Sequence, residues 1–72
     1  RKKEHFYVIT INTKQTLDEV LKHFKASNLK VLDYRRSMRD GKYILRVMTF
    51  GKHSTHRRIE DFLLENKDVT DF

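Results

Sequence analysis

Hydrophobic positions follow two different periods along this 72-residue chain. Runs of β-branched and aromatic residues predict strands at residues 5–12, 29–38, 43–50 and 69–72. Apolar residues spaced by three and four positions predict two amphipathic helices, one after Thr16 and one over about residues 55–66. The order strand, helix, strand, strand, helix, strand predicts a ferredoxin-like α+β domain, in which two helices cover one face of a four-stranded antiparallel sheet.

Three local signals mark the boundaries of these elements. Thr16 and Glu19 have the spacing of a capping box, which predicts that Thr16 caps the first helix. Asn28 is predicted to end that helix in a left-handed conformation. The dipeptide Asp40-Gly41 favours the positive φ angles of a two-residue turn, so the second and third strands are predicted to form a hairpin.

The first and third predicted strands carry apolar residues on both faces. In the third strand, Ile44, Met48 and Phe50 alternate with other apolar residues, which would point to the opposite face of the sheet. Two helices cover only one face of a sheet, so a twin domain, another domain of the same chain or a ligand is expected to cover the other. We therefore predict that these three residues form an interface for a partner protein or for self-association. The alternative is that they only fill the margins of a twisted sheet.

Composition limits the kinds of site that the chain can carry. It contains no cysteine, which excludes disulfides, thiolate metal sites and cysteine nucleophiles. No apolar run approaches the roughly 20 residues of a membrane span. The chain begins at Arg1 and ends at Phe72 inside a predicted strand. We therefore expect residues 1–72 to be a single domain excised from a longer protein.

The net charge of +6 favours anionic partners such as nucleic acid, phosphates or a lipid surface. The alternative is a solvated basic surface that keeps the domain soluble. One basic segment at the start of the second helix combines backbone N–H groups with hydroxyls and cations, and it is a candidate site for an anion or a lipid head group. Its residues are Lys52, His53, Ser54, Thr55, His56, Arg57 and Arg58. The ordinary interpretation is a helix capped by Ser54 or Thr55, with exposed arginines.

Motifs for metal binding and catalysis are weak or missing. His53 and His56 have a spacing compatible with a metal pair, but no third ligand is near in the sequence, so solvated histidines are the favoured interpretation. The chain has no glycine-rich phosphate loop, no H-E-x-x-H sequence and no nucleophile elbow around a serine. We predict that the protein is not an enzyme and carries no cofactor.

Two other functions remain open beside protein interaction. The order of elements matches the RNA-recognition motif, but the third strand lacks the second glycine and the aromatic spacing of that motif. A nucleic-acid module would stack bases on Phe6, Tyr7 or Tyr43. A free-standing small-molecule sensor would be stabilised by its metabolite.

Several features together resemble an ACT-type domain, a small regulatory βαββαβ module. They are the first strand FYVITI, the capped helix, the Asp40-Gly41 hairpin and the ending at residues 69–72. Within that group, the chain is similar to the cytoplasmic C-terminal domain of MgtC/SapB-family membrane proteins. That similarity rests on Arg1-Lys2-Lys3, on Tyr7, Ile9 and Ile11, and on residues 59–63 before Val69.

The resemblance implies a non-catalytic regulatory or protein-interaction domain. It would be the soluble tail of a bacterial inner-membrane protein linked to growth at low magnesium and to virulence. Basic residues next to a membrane span would place the domain on the cytoplasmic side. The chain departs from amino-acid-binding ACT domains at residues 12–15, which contain neither the proline nor the glycine of their turn after the first strand. Amino-acid binding is therefore not implied.

Overall fold

A computed structural model describes all residues 1–72 and contains six elements in the predicted order. They are β1 (Lys2–Ile11), α1 (Lys14–Ala26), β2 (Lys30–Arg39), β3 (Lys42–Lys52), α2 (His53–Glu65) and β4 (Val69–Asp71). The strands form one antiparallel sheet in the order β2-β3-β1-β4. The prediction of a ferredoxin-like α+β fold is confirmed, and β1 and β3 are the two inner strands.

The hydrophobic core lies between the two helices and one face of the sheet. It takes alternate residues from the inner strands, because successive side chains of a strand point to opposite faces. Both helices contribute apolar stripes with the predicted spacing. The core residues are Tyr7, Ile9, Ile11, Leu17, Val20, Leu21, Phe24, Leu29, Leu45, Val47, Ile59 and Leu63.

Helix α1 begins two residues before the predicted cap. Thr13 is its N-cap, and the Thr13 hydroxyl accepts a hydrogen bond of 3.0 Å from the amide of Thr16. The predicted capping box of Thr16 and Glu19 is therefore wrong. The Thr16 hydroxyl instead donates to Oδ2 of Asp68, 3.3 Å away, which ties the helix to the segment before β4. At the other end, Ser27 caps the helix with extended backbone, and Asn28 does not have the predicted left-handed conformation.

The predicted hairpin between β2 and β3 is confirmed. Asp40 and Gly41 have φ angles of 52° and 77°, the left-handed region that a two-residue hairpin turn requires. Strand β2 contains an irregularity between Val31 and Asp33, where its register with β3 shifts. The shift keeps the later residues of β2 in alternating register with β3, so each face of the hairpin has a defined set of side chains.

Strand β3 passes directly into α2, without the predicted loop at residues 51–54. Gly51 is buried at this junction, and a Cβ atom there would lie 2.5 Å from Cδ2 of Leu29. The missing side chain at Gly51 therefore lets the segment before β2 approach the end of β3. Each helix has 13 residues, and neither is long and apolar enough to cross a membrane.

Candidate functional site

The sheet surface opposite the helices, here called the open face, carries an exposed apolar strip. Phe6 and Val8 of β1 lie on it beside Met48 and Phe50 of β3. Phe6 stands directly opposite Met48 in the β1–β3 register, and it is 51% exposed although it lies on an inner strand. The strip is continuous across the centre of the sheet, and neither helix covers it.

The predicted interface residues all lie on the open face, but they differ in accessibility. Met48 is half-buried and Phe50 is exposed, whereas Ile44 is buried between Thr10 and Ser37 of the neighbouring strands. Ile44 therefore offers little surface to a partner. Phe6 and Val8 were not predicted as interface residues. The alternation of β1 was the signal that places them beside Met48 and Phe50.

Cations surround the apolar strip and outnumber the carboxylates on the same face. The strand registers place the following cations on the open face: Lys2, Lys30, Arg35, Arg39, Lys42, Arg46 and Lys52. On β1, β2 and β3 the carboxylates of that face are Glu4 and Asp33, and Asp71 of β4 stands opposite Thr10 at the edge of the sheet. Both salt bridges of the protein use Asp18, which pairs with Lys14 at 3.3 Å and with Arg36 at 3.7 Å. The cations of the open face therefore have no ion-pair partner within the domain.

The aromatic residues named for base stacking do not lie together. Tyr7 is buried in the core, and Tyr43 packs partly buried against it on the helix side of the sheet. Only Phe6 of the three lies on the open face. Tyr7 is too buried to stack on a base, and Tyr43 lies on the other side of the sheet from Phe6. Phe50 is the second aromatic side chain exposed on the open face.

A basic cleft of about 620 Å³ lies at the end of the sheet where β1 and β2 begin and β3 passes into α2. Its lining contains four cationic side chains and no carboxylate. The residues that line this basic cleft are Lys2, Asn28, Lys30, Phe50, Gly51, Lys52, Ser54, Thr55 and Arg58.

The cleft contains part of the predicted anion site. Lys52, Ser54, Thr55 and Arg58 line it, while His53 and Arg57 are exposed outside it and His56 lies in the core. Sequence reasoning missed Lys2 and Lys30. The missing signal was the strand register, which sets Lys2 opposite Lys52 and Lys30 opposite Phe50.

His56 is a structural residue, because both of its ring nitrogens are used inside the domain. Nδ1 lies 2.9 Å from the hydroxyl of Tyr7, and Nε2 lies 3.4 Å from the carbonyl oxygen of Lys3. Since a carbonyl can only accept, Nε2 carries the proton and Nδ1 accepts from Tyr7. Burial, with a smaller effect of Glu60, raises the pKa of Tyr7 to about 12, so that hydroxyl stays protonated. No three side chains of the His, Asp and Glu types lie together as metal ligands.

His5 packs against the rings of Tyr7 and His56, and these surroundings shift its pKa. Its ring centroid lies 4.3 Å from that of Tyr7 and 5.4 Å from that of His56. Burial, then the electrostatic effects of His56 and Lys3, lower the pKa of His5 from 6.5, and Glu60 opposes them. Below about pH 6.5 the unfolded chain therefore binds more protons at this site than the folded domain does.

We expect the free energy of unfolding to fall as the pH decreases from 6.5 through the lower pKa of folded His5. Urea unfolding across this range measures the slope. His5→Gln removes the titrating ring and should make the slope shallower. An unchanged slope in that variant would show that other groups cause the acid sensitivity.

No protein-family model matches the chain, and the search of curated proteins finds no match either.

Proposed function

We propose that this domain is a non-catalytic interaction module whose open face binds an acidic partner protein. The observation that carries the proposal is the exposed apolar strip of Phe6, Val8, Met48 and Phe50, set among unpaired cations on the side of the sheet that the helices leave uncovered. Apolar surface on an inner strand gains free energy when it is covered, by about 25 cal/mol per Å².

The charge of the open face favours an acidic partner over a second copy of the chain. Two copies that met through this face would bring the cations of both, including Arg35 and Arg46, towards one another. Like charges brought together at an interface cost several kcal/mol. On β1, β2 and β3, Glu4 and Asp33 are the only carboxylates of this face that offset them. An acidic partner with an apolar centre would match both the strip and its surroundings.

Nucleic acid is the second candidate, because Phe6 and Phe50 are exposed aromatic side chains on neighbouring strands among arginines and lysines. The carboxylates favour a protein instead. Glu4 stands opposite Phe50, and Asp33 stands opposite Met48. A nucleic acid carries a phosphate at every nucleotide and would meet these carboxylates beside the stacking surface. A protein partner can instead carry acidic residues only where they face the cations, and none where they would face the two carboxylates.

The proposal extends to the setting of the domain. The resemblance to MgtC/SapB-family tails supports a regulatory role in a bacterial inner-membrane protein linked to growth at low magnesium and to virulence. In that setting the domain lies on the cytoplasmic side, with Arg1, Lys2 and Lys3 close to the membrane surface. The acidic partner would then be another protein, or another domain, at that membrane.

Peptide display on the immobilised 72-residue protein tests the proposal. We expect selected peptides to combine acidic with apolar residues and to shift amide resonances of the open face in NMR spectra. Met48→Glu should weaken their binding by at least about tenfold. It removes apolar area from the strip and adds a negative charge that repels the acidic peptides. Leu64→Glu is the matched control, since Leu64 is an exposed residue of α2 and should leave affinity unchanged.

Three results would overturn the proposal. Equal losses in the Met48 and Leu64 variants would show that the open face is not the site. Tighter binding of a single-stranded oligonucleotide, with affinity that falls steeply with salt, would favour nucleic acid. A wild-type dimer in sedimentation, lost on Met48→Glu, would favour self-association.

A further inference from the structure

We infer that the basic cleft binds a phosphate group, as inorganic phosphate, a phosphomonoester or a phosphorylated lipid head group. The inference is separate from the proposed partner, although the cleft adjoins the open face through Phe50. It rests on unneutralised charge, on the hydroxyl of the largely buried Thr55, which makes no hydrogen bond within the protein, and on the volume of the cleft.

Charge is the first observation. Lys2, Lys30, Lys52 and Arg58 come from four different elements, converge on one cleft and form no salt bridge within the protein. Lys2 stands directly opposite Lys52 in the β1–β3 register. Like charges in opposite positions of neighbouring strands destabilise a sheet. An anion between them would convert this repulsion into attraction.

A neutral donor is the second observation. Thr55 lines the cleft and is only 4% exposed, yet its hydroxyl makes no hydrogen bond within the protein. No fully buried side-chain oxygen or nitrogen lacks a partner. The Thr55 oxygen therefore keeps some accessible surface, and Thr55 is a lining residue of the cleft. A phosphate oxygen there would accept the missing hydrogen bond.

The start of α2 adds to these two observations. Lys52 is its N-cap and provides no side-chain hydrogen bond to the first amides of the helix, unlike Thr13 at α1. Helix amides without a side-chain cap favour an anion, and the helix dipole adds to the attraction. Ser54 lies in this first turn and lines the cleft as well.

The volume and lining indicate the class of ligand. About 620 Å³ is more than one phosphate group needs, so an organic substituent fits beside it. Phe50 is the only large apolar residue in the lining and faces any such substituent. The lysines act as point charges, while the guanidinium of Arg58 suits two oxygens of one phosphate.

Phosphate titration of the full chain, followed by amide resonances, tests the site. We expect saturable shifts in the first turn of α2 and at residues 28–30 and 50–52. Arg58→Gln should weaken phosphate binding about tenfold, because it removes a charged hydrogen-bond donor. Arg57→Gln is the matched control, since Arg57 is the neighbouring arginine and lies outside the cleft. It should change affinity less than twofold.

Vesicles distinguish the sources of the phosphate group. Phosphatidylcholine vesicles with phosphatidic acid should bind in an Arg58-dependent way if the ligand is a lipid head group, and should not if it is a soluble phosphate. Equal effects of the Arg57 and Arg58 variants, or shifts that do not saturate with either probe, would overturn the inference. Met48→Glu should leave phosphate binding unchanged, so failure at the open face and failure at the cleft can be told apart.

Discussion

Phe24→Ala is expected to lower the free energy of unfolding by about 3–5 kcal/mol. Phe24 is fully buried on α1, and its ring meets that of Tyr7 edge-on with centroids 5.1 Å apart. The substitution leaves a cavity between the helices and the inner strands, where close packing allows little collapse. The free energy of unfolding of a small domain is about 5–15 kcal/mol in total. The variant should therefore unfold at a much lower urea concentration than the wild type.

Leu64→Ala is the control for this prediction. It removes a large apolar side chain from α2, but Leu64 is 72% exposed. We expect its effect to stay within about 0.5 kcal/mol. Equal destabilisation by the two substitutions would contradict the assignment of the core to the space between the helices and the sheet.

Tyr7→Phe is expected to cost about 1–3 kcal/mol, because it leaves Nδ1 of buried His56 without its hydrogen-bond donor. His56 is 2% exposed, so water cannot readily replace the hydroxyl. The aromatic ring of residue 7 stays in place, and its packing against Phe24 should therefore be retained. Chemical denaturation measures the loss.

A double-mutant cycle separates this hydrogen bond from packing. His56→Phe removes both ring nitrogens with little change in size. If the bond is formed, the Tyr7→Phe substitution should cost less in the His56→Phe background, with a coupling energy of about 0.5–3 kcal/mol. Additive effects of the two substitutions would show that the hydroxyl and the imidazole contribute independently.

The sequence was sufficient for the fold because each element has its own period and turn signal. The apolar stripe of α1 and the Asp40-Gly41 turn act locally, and both are present in the structure. The predicted start of α1 was wrong because Thr13 and Thr16, three residues apart, are both residues that favour the N-cap position, and local sequence did not distinguish them. Asp68 accepts a hydrogen bond from Thr16, and this contact joins residues far apart in the chain.

The candidate sites depended on long-range pairing, which local patterns do not give. His56 could have been recognised as a core residue, because it shares the helical stripe of Ile59 and Leu63 at three and seven positions before them. Lys2 and Lys30 could not have been assigned to the basic cleft from the sequence, since only the strand register brings them to the start of α2. The apolar positions of the open face could be predicted from the alternation of residues along the strands. Which of the two faces the helices leave uncovered could be seen only in the structure.

Site-specific photo-crosslinking in cells that express the full-length protein tests the central claim most directly. A photoreactive residue at Met48 should yield one crosslinked protein, joined through a segment rich in acidic residues, and the product should disappear on Arg35→Glu with Arg46→Glu. The same photoreactive residue at Leu64 should yield no such product. Crosslinking at Leu64 but not at Met48, or a product at Met48 that survives the charge reversal, would contradict the assignment of the open face as a binding surface for an acidic partner.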